Sequence, residues 1–103
     1  MNRKRPRARR KPDVNRLLSE FLMCSYLYYN NYPKLPLSDD KFNSICKVLL
    51  KNWDAVTHPH KHLCDKEMLR AETGYSIDFP LMVQGAAISW IEEIVRNEDE
   101  TIS

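Results

Sequence analysis

The sequence predicts an all-α fold, a small helical domain built on an antiparallel helical hairpin, behind a disordered basic N-terminal arm. Apolar residues recur at three-and-four spacing over long stretches, and capping and breaking residues stand at the ends of those stretches. Positive charge crowds into the first twelve positions. A chain of 103 residues has room for one modest core, so the division expected is an arm at 1–12, a single helical domain at 13–97 and a frayed tail at 98–103.

The arm carries Arg3, Lys4, Arg5, Arg7, Arg9, Arg10 and Lys11 and no acid. It has little to bury and repels itself, which predicts disorder until it meets a partner. Pro12 and Asp13 read as a helix entry, with Asp13 the N-cap. Val14, Leu17, Leu18, Phe21, Leu22, Ser25, Tyr28 and Tyr29 then share one helical face, predicting a helix over 14–29. Asn30, Asn31, Pro33 and Pro36 end it, because asparagine favours turns and each proline turns its predecessor away from helix.

Ser38 caps a second helix whose first turn holds Asp39 and Asp40, where negative charge suits the helix dipole. Phe42, Ile45, Cys46, Leu49 and Trp53 give it an apolar face that packs on the first helix. Asp65 caps a short third helix and Gly74 closes it. Tyr75, Ile77 and Phe79 alternate, as in a short extended segment or a loop pinned by aromatics. Pro80 opens the last helix, along which Leu81, Val83, Ala86, Ala87, Trp90, Ile91, Ile94 and Val95 cover a wide face. Gly85 and the two alanines there allow close approach of a neighbour.

The net charge of +2 conceals an asymmetry: beyond the arm, nine basic residues face fourteen acids, a net of −5. A basic tail on an acidic body points to an anionic partner met by the tail. Cys24, Cys46 and Cys64 are odd in number and lack any CxxC, which fits reduced thiols in a cytoplasmic setting. No run approaches the roughly 20 apolar residues of a membrane span, so no membrane partner is expected.

Four constellations bear on function. The arm has the composition of a phosphate-binding tail, since arginines fork onto phosphates and release counterions. Without an aromatic it does not read bases, and the alternative is a solvated tail or one docked on an acidic protein. His58, His60, His62 and Cys64 alternate as zinc-competent ligands, but i, i+2 ligands crowd a tetrahedral ion and Pro59 bends the run, so a polar loop is expected and no metal. Asp39 and Asp40 are adjacent and face different ways on a helix, and Cys24 and Cys46 fall on or beside apolar faces. Neither pair makes catalytic machinery, so no enzyme is expected. Two glycines leave no glycine-rich phosphate cradle.

The fourth constellation runs through the join of the first two helices. A helix ending in Tyr28-Tyr29, a short proline-containing link, Ser38-Asp39, then Asp40-Lys41-Phe42-Asn43, an apolar helix and His58-Pro59 resembles the small N-terminal domain of NAD-dependent DNA ligases. The resemblance covers residues 14–59. It implies a grip on the nicotinamide mononucleotide half of NAD, with Tyr28 and Tyr29 stacking on the ring and Asp39 meeting ribose or carboxamide. Phe42 stands where the ligases have tyrosine and Asn43 where they have aspartate, and both departures remove polar function from that pocket. The lysine-containing adenylation motif has no counterpart, so the chain is not a complete ligase. With the distal "HPHKHLCDKEMLRAETGY", the hairpin is also similar to small stand-alone bacteriophage proteins described as ligase-related, which implies action in a host cytoplasm.

Three functions therefore compete. The first is a non-enzymatic phage accessory protein that binds nucleic acid through its arm. The others are a ligase-derived module for NAD or nicotinamide mononucleotide and a protein-protein inhibitor of a host enzyme. Against the second stands a purely structural alternative, in which Tyr28, Tyr29 and Phe42 only close the mouth of the hairpin.

Overall fold

A computed structural model describes residues 13–74 and 77–102. The expectations for the basic arm and for Tyr75 lie outside these residues. Four α-helices run through the described chain: α1 (Val14–Tyr29), α2 (Asp39–Lys51), α3 (Lys66–Ala71) and α4 (Leu81–Ile102). Two short 3-10 turns, Trp53–Ala55 and Lys61–Leu63, lie between α2 and α3, and no described residue is in a strand.

Asp13 begins α1 by accepting the Arg16 amide at 3.2 Å. Helix α2 starts the same way, with Ser38 Oγ accepting from Lys41 N at 3.2 Å and two acids in the first turn. Asn30 and Asn52 end α1 and α2 by turning their side-chain amides back onto the carbonyls of Tyr26 and Val48, each at 2.8 Å. Both helices thus begin on an oxygen acceptor and end on an amide donor, as their orphan backbone groups require.

Helix α1 is the hub, packing on both α2 and α4, while α3 packs on α2. Leu18, Phe21 and Leu22 of α1 meet Ile45, Cys46 and Leu49 of α2 in the larger core, which Val56, Cys64, Leu69, Ile77 and Val83 complete. Leu27 enters a smaller cluster with Ala87 and Ile91 of α4. Fully burying a side chain such as Leu18, Phe21 or Leu22 contributes about 1.5–3 kcal/mol, so the α1–α2 pair is the main source of stability.

Two helices, α3 and α4, depart from expectation. Helix α3 closes at Glu72, not Gly74: Glu72 takes a left-handed conformation (φ 56°), and Thr73 N reaches back to Met68 O at 3.1 Å. The buried face of α4 is narrower than the wide one expected: Val83, Ala87 and Ile91 are buried and Ile94 is partly buried against the smaller cluster. Leu81, Met82, Gly85 and Ala86 are exposed, and a Cβ built on Gly85 meets nothing within 4 Å. The helix also continues to Ile102, where fraying from residue 98 is expected, and a Lys34–Glu98 ion pair at 2.9 Å ties this end to the α1–α2 link. The 77–79 segment is loop, with Ile77 buried and Phe79 edge-on to Tyr26 at 5.6 Å.

Candidate functional site

The link between α1 and α2 creates a cleft because it cannot continue either helix. Asn31 takes a positive φ of 61°, a conformation asparagine tolerates, and Tyr32 N returns to Leu27 O at 3.1 Å. The chain then runs past Pro33 and Pro36 before Ser38 restarts it as helix. The last turn of α1 and the first of α2 therefore stand side by side with space between them.

That space is a cavity of about 200 Å³. Tyr28 and Tyr29 line it from α1, and Asp39, Phe42 and Asn43 from α2. All five residues that the ligase resemblance singles out thus reach one cleft. The tyrosine rings stand edge to face, centroids 4.8 Å apart at 86°, and Tyr28 is 60 % exposed, so the pair forms a right-angled aromatic rim. Phe42 lies deeper, its ring stacked on fully buried Phe21 at 5.3 Å and 18°. The mouth-closing alternative describes Phe42 in part, since that ring both packs on the core and faces the cavity.

Cys24, Ser25, Leu35, Leu37 and the segment Glu72-Thr73-Gly74 complete the lining. The hydroxyls of Tyr29 and Thr73 are hydrogen-bonded to each other, which ties the end of α1 to the segment after α3. Gly74 lies so close to α1 that a Cβ there would stand 2.5 Å from Ser25 Oγ and 2.6 Å from Ser25 Cβ. Ser25 itself is 2 % exposed, and its hydroxyl has no hydrogen-bond partner. A buried hydroxyl left in that state costs about 1–3 kcal/mol, which makes it the most conspicuous polar group in the domain.

Sequence pattern placed Ser25 on the apolar face of α1, the one polar residue in that register, and this was the available signal for its role. Glu72, Thr73 and Gly74 had none, because they come to the cleft through tertiary packing from about thirty residues downstream.

The histidine run is organised differently. His60 N donates to His58 Nδ1 at 3.0 Å, and His58 Nε2 lies 2.7 Å from Ser19 Oγ. With Nδ1 accepting, the neutral ring carries its proton on Nε2 and donates it to the serine. That polarity is opposite to what a nucleophilic serine needs, so this Ser-His contact is a structural bond. Asn15 stitches the same loop to α1 twice, accepting from Thr57 N and donating to Thr57 Oγ1, both at 2.9 Å. His62 Nδ1 donates to Pro59 O at 3.1 Å, and Lys61 stands over the Trp53 ring at 5.0 Å. A 3-10 turn at Lys61–Leu63 breaks the strict alternation that would align the four zinc-competent side chains, and no group of three or more metal-binding side chains gathers among the described residues.

The thiols are protonated at neutral pH. Burial pushes Cys24 up to about 11; a Leu37 backbone hydrogen bond offsets part of the rise and Asp39 adds to it. Burial first, then Glu72 and Cys24, raises Cys46 to about 12. Cys64 reaches about 12 through burial, with Asp65 and Cys46 adding. A thiol in this state is a poor nucleophile and a poor metal ligand.

No helix among the described residues is long and apolar enough to cross a membrane. Comparison with protein-family models, with curated proteins and with solved structures finds no match.

Proposed function

We propose that this chain is a non-catalytic binding module that holds the ring-bearing half of a nucleotide in the cleft between α1 and α2. The observation that carries the reading is the convergence of Tyr28, Tyr29, Asp39, Phe42 and Asn43 on one cavity whose floor holds the unpartnered hydroxyl of Ser25. Two exposed aromatic rings offer a stacking surface, and Asp39, Asn43 and Ser25 offer hydrogen bonds to a ring substituent or a sugar. The volume sets the limit: 200 Å³ is below the roughly 300–1,000 Å³ of sites that enclose a drug-sized ligand, so the cleft suits one ring and its substituents and leaves the rest of a dinucleotide outside. Nicotinamide mononucleotide is the candidate that the ligase resemblance names. Nothing in the cleft activates a nucleophile, and the reading includes no chemical step.

Calorimetry with nicotinamide mononucleotide and NAD at millimolar concentration tests it. Heat that disappears in Tyr28→Ala and Tyr29→Ala supports the pocket; no heat from either ligand counts against it.

The second reading assigns nucleic-acid binding to Arg3, Lys4, Arg5, Arg7, Arg9, Arg10 and Lys11. It rests on the sequence, where seven positive charges precede a body of net −5. The body repels phosphate, so affinity would reside in the arm and fall steeply with salt. Removing residues 1–12 should then abolish binding to DNA or RNA at low salt, and binding that survives the deletion refutes it.

A further inference from the structure

The charge of the cleft narrows what it holds. Asp39 reaches it from the first turn of α2, and Glu72 reaches it from the end of α3. Among the described residues, no lysine, arginine or histidine lines it. The backbone adds to this sign, because α1 ends at the cleft, presenting the negative pole of a sixteen-residue helix with no basic residue in its last turn. The positive pole of α2 is also close, but Ser38 occupies its Lys41 amide and Asp39 and Asp40 offset its dipole. Carboxylate fields reach inward as well: Asp39 helps hold up the Cys24 thiol, and Glu72 does the same to Cys46.

Aromatic geometry points the same way. Two tyrosine rings at a right angle form two walls of a cage whose faces attract cations. Glu72 is held at φ 56°, a conformation unfavourable for any residue with a Cβ, which keeps its carboxylate-bearing segment beside the cleft. Ser25 Oγ, 2 % exposed and unpartnered, supplies an independent sign that something polar belongs there.

We propose that the cleft takes the positively charged ring of a small organic cation, caged by Tyr28 and Tyr29 and balanced by Asp39 and Glu72, and leaves any attached phosphate in solvent. This rests on the cleft being a small-ligand site. The ring substituent meets Ser25, and the charge stays near the aromatic rim.

The test is calorimetry of the full chain, at fixed ionic strength, with three ring-matched probes. Nicotinamide is neutral, its N-methylated form is a cation, and nicotinamide mononucleotide adds a phosphate to the cation. The N-methylated cation should bind about tenfold tighter than nicotinamide, within the range of caged cation–aromatic contacts, and tighter than the mononucleotide. Asp39→Asn with Glu72→Gln should bring the ratio of cation to neutral-ring affinity close to one. Equal binding of the neutral and cationic rings, tighter binding of the mononucleotide, or a preference unaffected by the double substitution overturns the charge assignment while keeping the ligand site. If none of the three probes binds at millimolar concentration, the ligand site itself is refuted.

Discussion

Two polar clusters lie along α1, and they differ in how completely they satisfy themselves. Near the start of the helix, Asn15 and Ser19 engage the Thr57–His58 loop, where the donors and acceptors described find partners within the protein. Toward its end, Ser25 is more deeply buried than Ser19, yet its hydroxyl has no partner and faces a cavity. A histidine-rich loop looks more like a site than a lone serine does. The bonding separates them: the closed network uses its polar groups to hold the loop, whereas the Ser25 hydroxyl is left unpartnered, as the proposed ligand site requires.

The largest effect is expected at the floor of the cleft. Gly74→Ala places a methyl 2.5 Å from Ser25 Oγ, and overpacking of this kind costs about 1–3 kcal/mol. Urea denaturation measures that loss, and calorimetry should show ligand heat lost with it. Gly85→Ala is the control, since its Cβ meets nothing and an exposed helical glycine replaced by alanine gains about 1 kcal/mol. If both substitutions stabilise, the cleft floor is not tight.

At the other end of the helix, Asn15→Ala removes two loop hydrogen bonds and should lower stability by about 1–2 kcal/mol at unchanged ligand affinity. Loss of ligand affinity in this variant would mean that the two clusters are coupled and the comparison fails.

The smallest effect is a pH dependence. Burial, and then the neighbouring His60, lower the pKa of His58 from the ordinary 6.5, and protonation would also set Nδ1–H against the His60 amide. The unfolded chain therefore takes up this proton first. The contribution is whole above pH 6.5 and is lost as pH falls through that value toward the folded pKa. Thermal unfolding between pH 7 and 5 should fall more steeply in the wild-type protein than in His58→Gln; parallel slopes would show that His58 does not carry the dependence.

Local rules made the helices legible in the sequence. Asp13, Ser38 and Asp65 act as caps through contacts within three residues, and spacing alone places Leu18, Phe21, Leu22 and Ser25 on the buried face of α1. Tyr28 and Tyr29, expected on the same face, are exposed, and Leu27, outside it, is buried because α4 packs there. Where expectation failed, a distant contact decided. Gly74 reads as a helix stop, yet it is needed for close approach to Ser25, 49 positions earlier, and Glu72 takes the left-handed turn in its place. Leu81, Ala86 and Val95 fall on the expected face of α4 but are exposed, because they lie outside its packing surface, which periodicity does not reveal. For the site, the sequence supplied the α1 and α2 walls because they lie within one hairpin, and it was silent on the third wall, Glu72 to Gly74.

The most direct test of the account is a pair of serine-to-alanine substitutions compared by equilibrium denaturation without ligand. Both replacements gain the same small helix propensity, so their difference isolates the hydroxyl. Ser19→Ala removes a bonded partner of His58 and should lower stability by about 1 kcal/mol, whereas Ser25→Ala removes an unsatisfied buried hydroxyl and should raise it by a similar amount. Opposite signs are expected. Equal destabilisation by the two would mean that Ser25 is as well bonded as Ser19 and that the cleft holds no polar group in reserve.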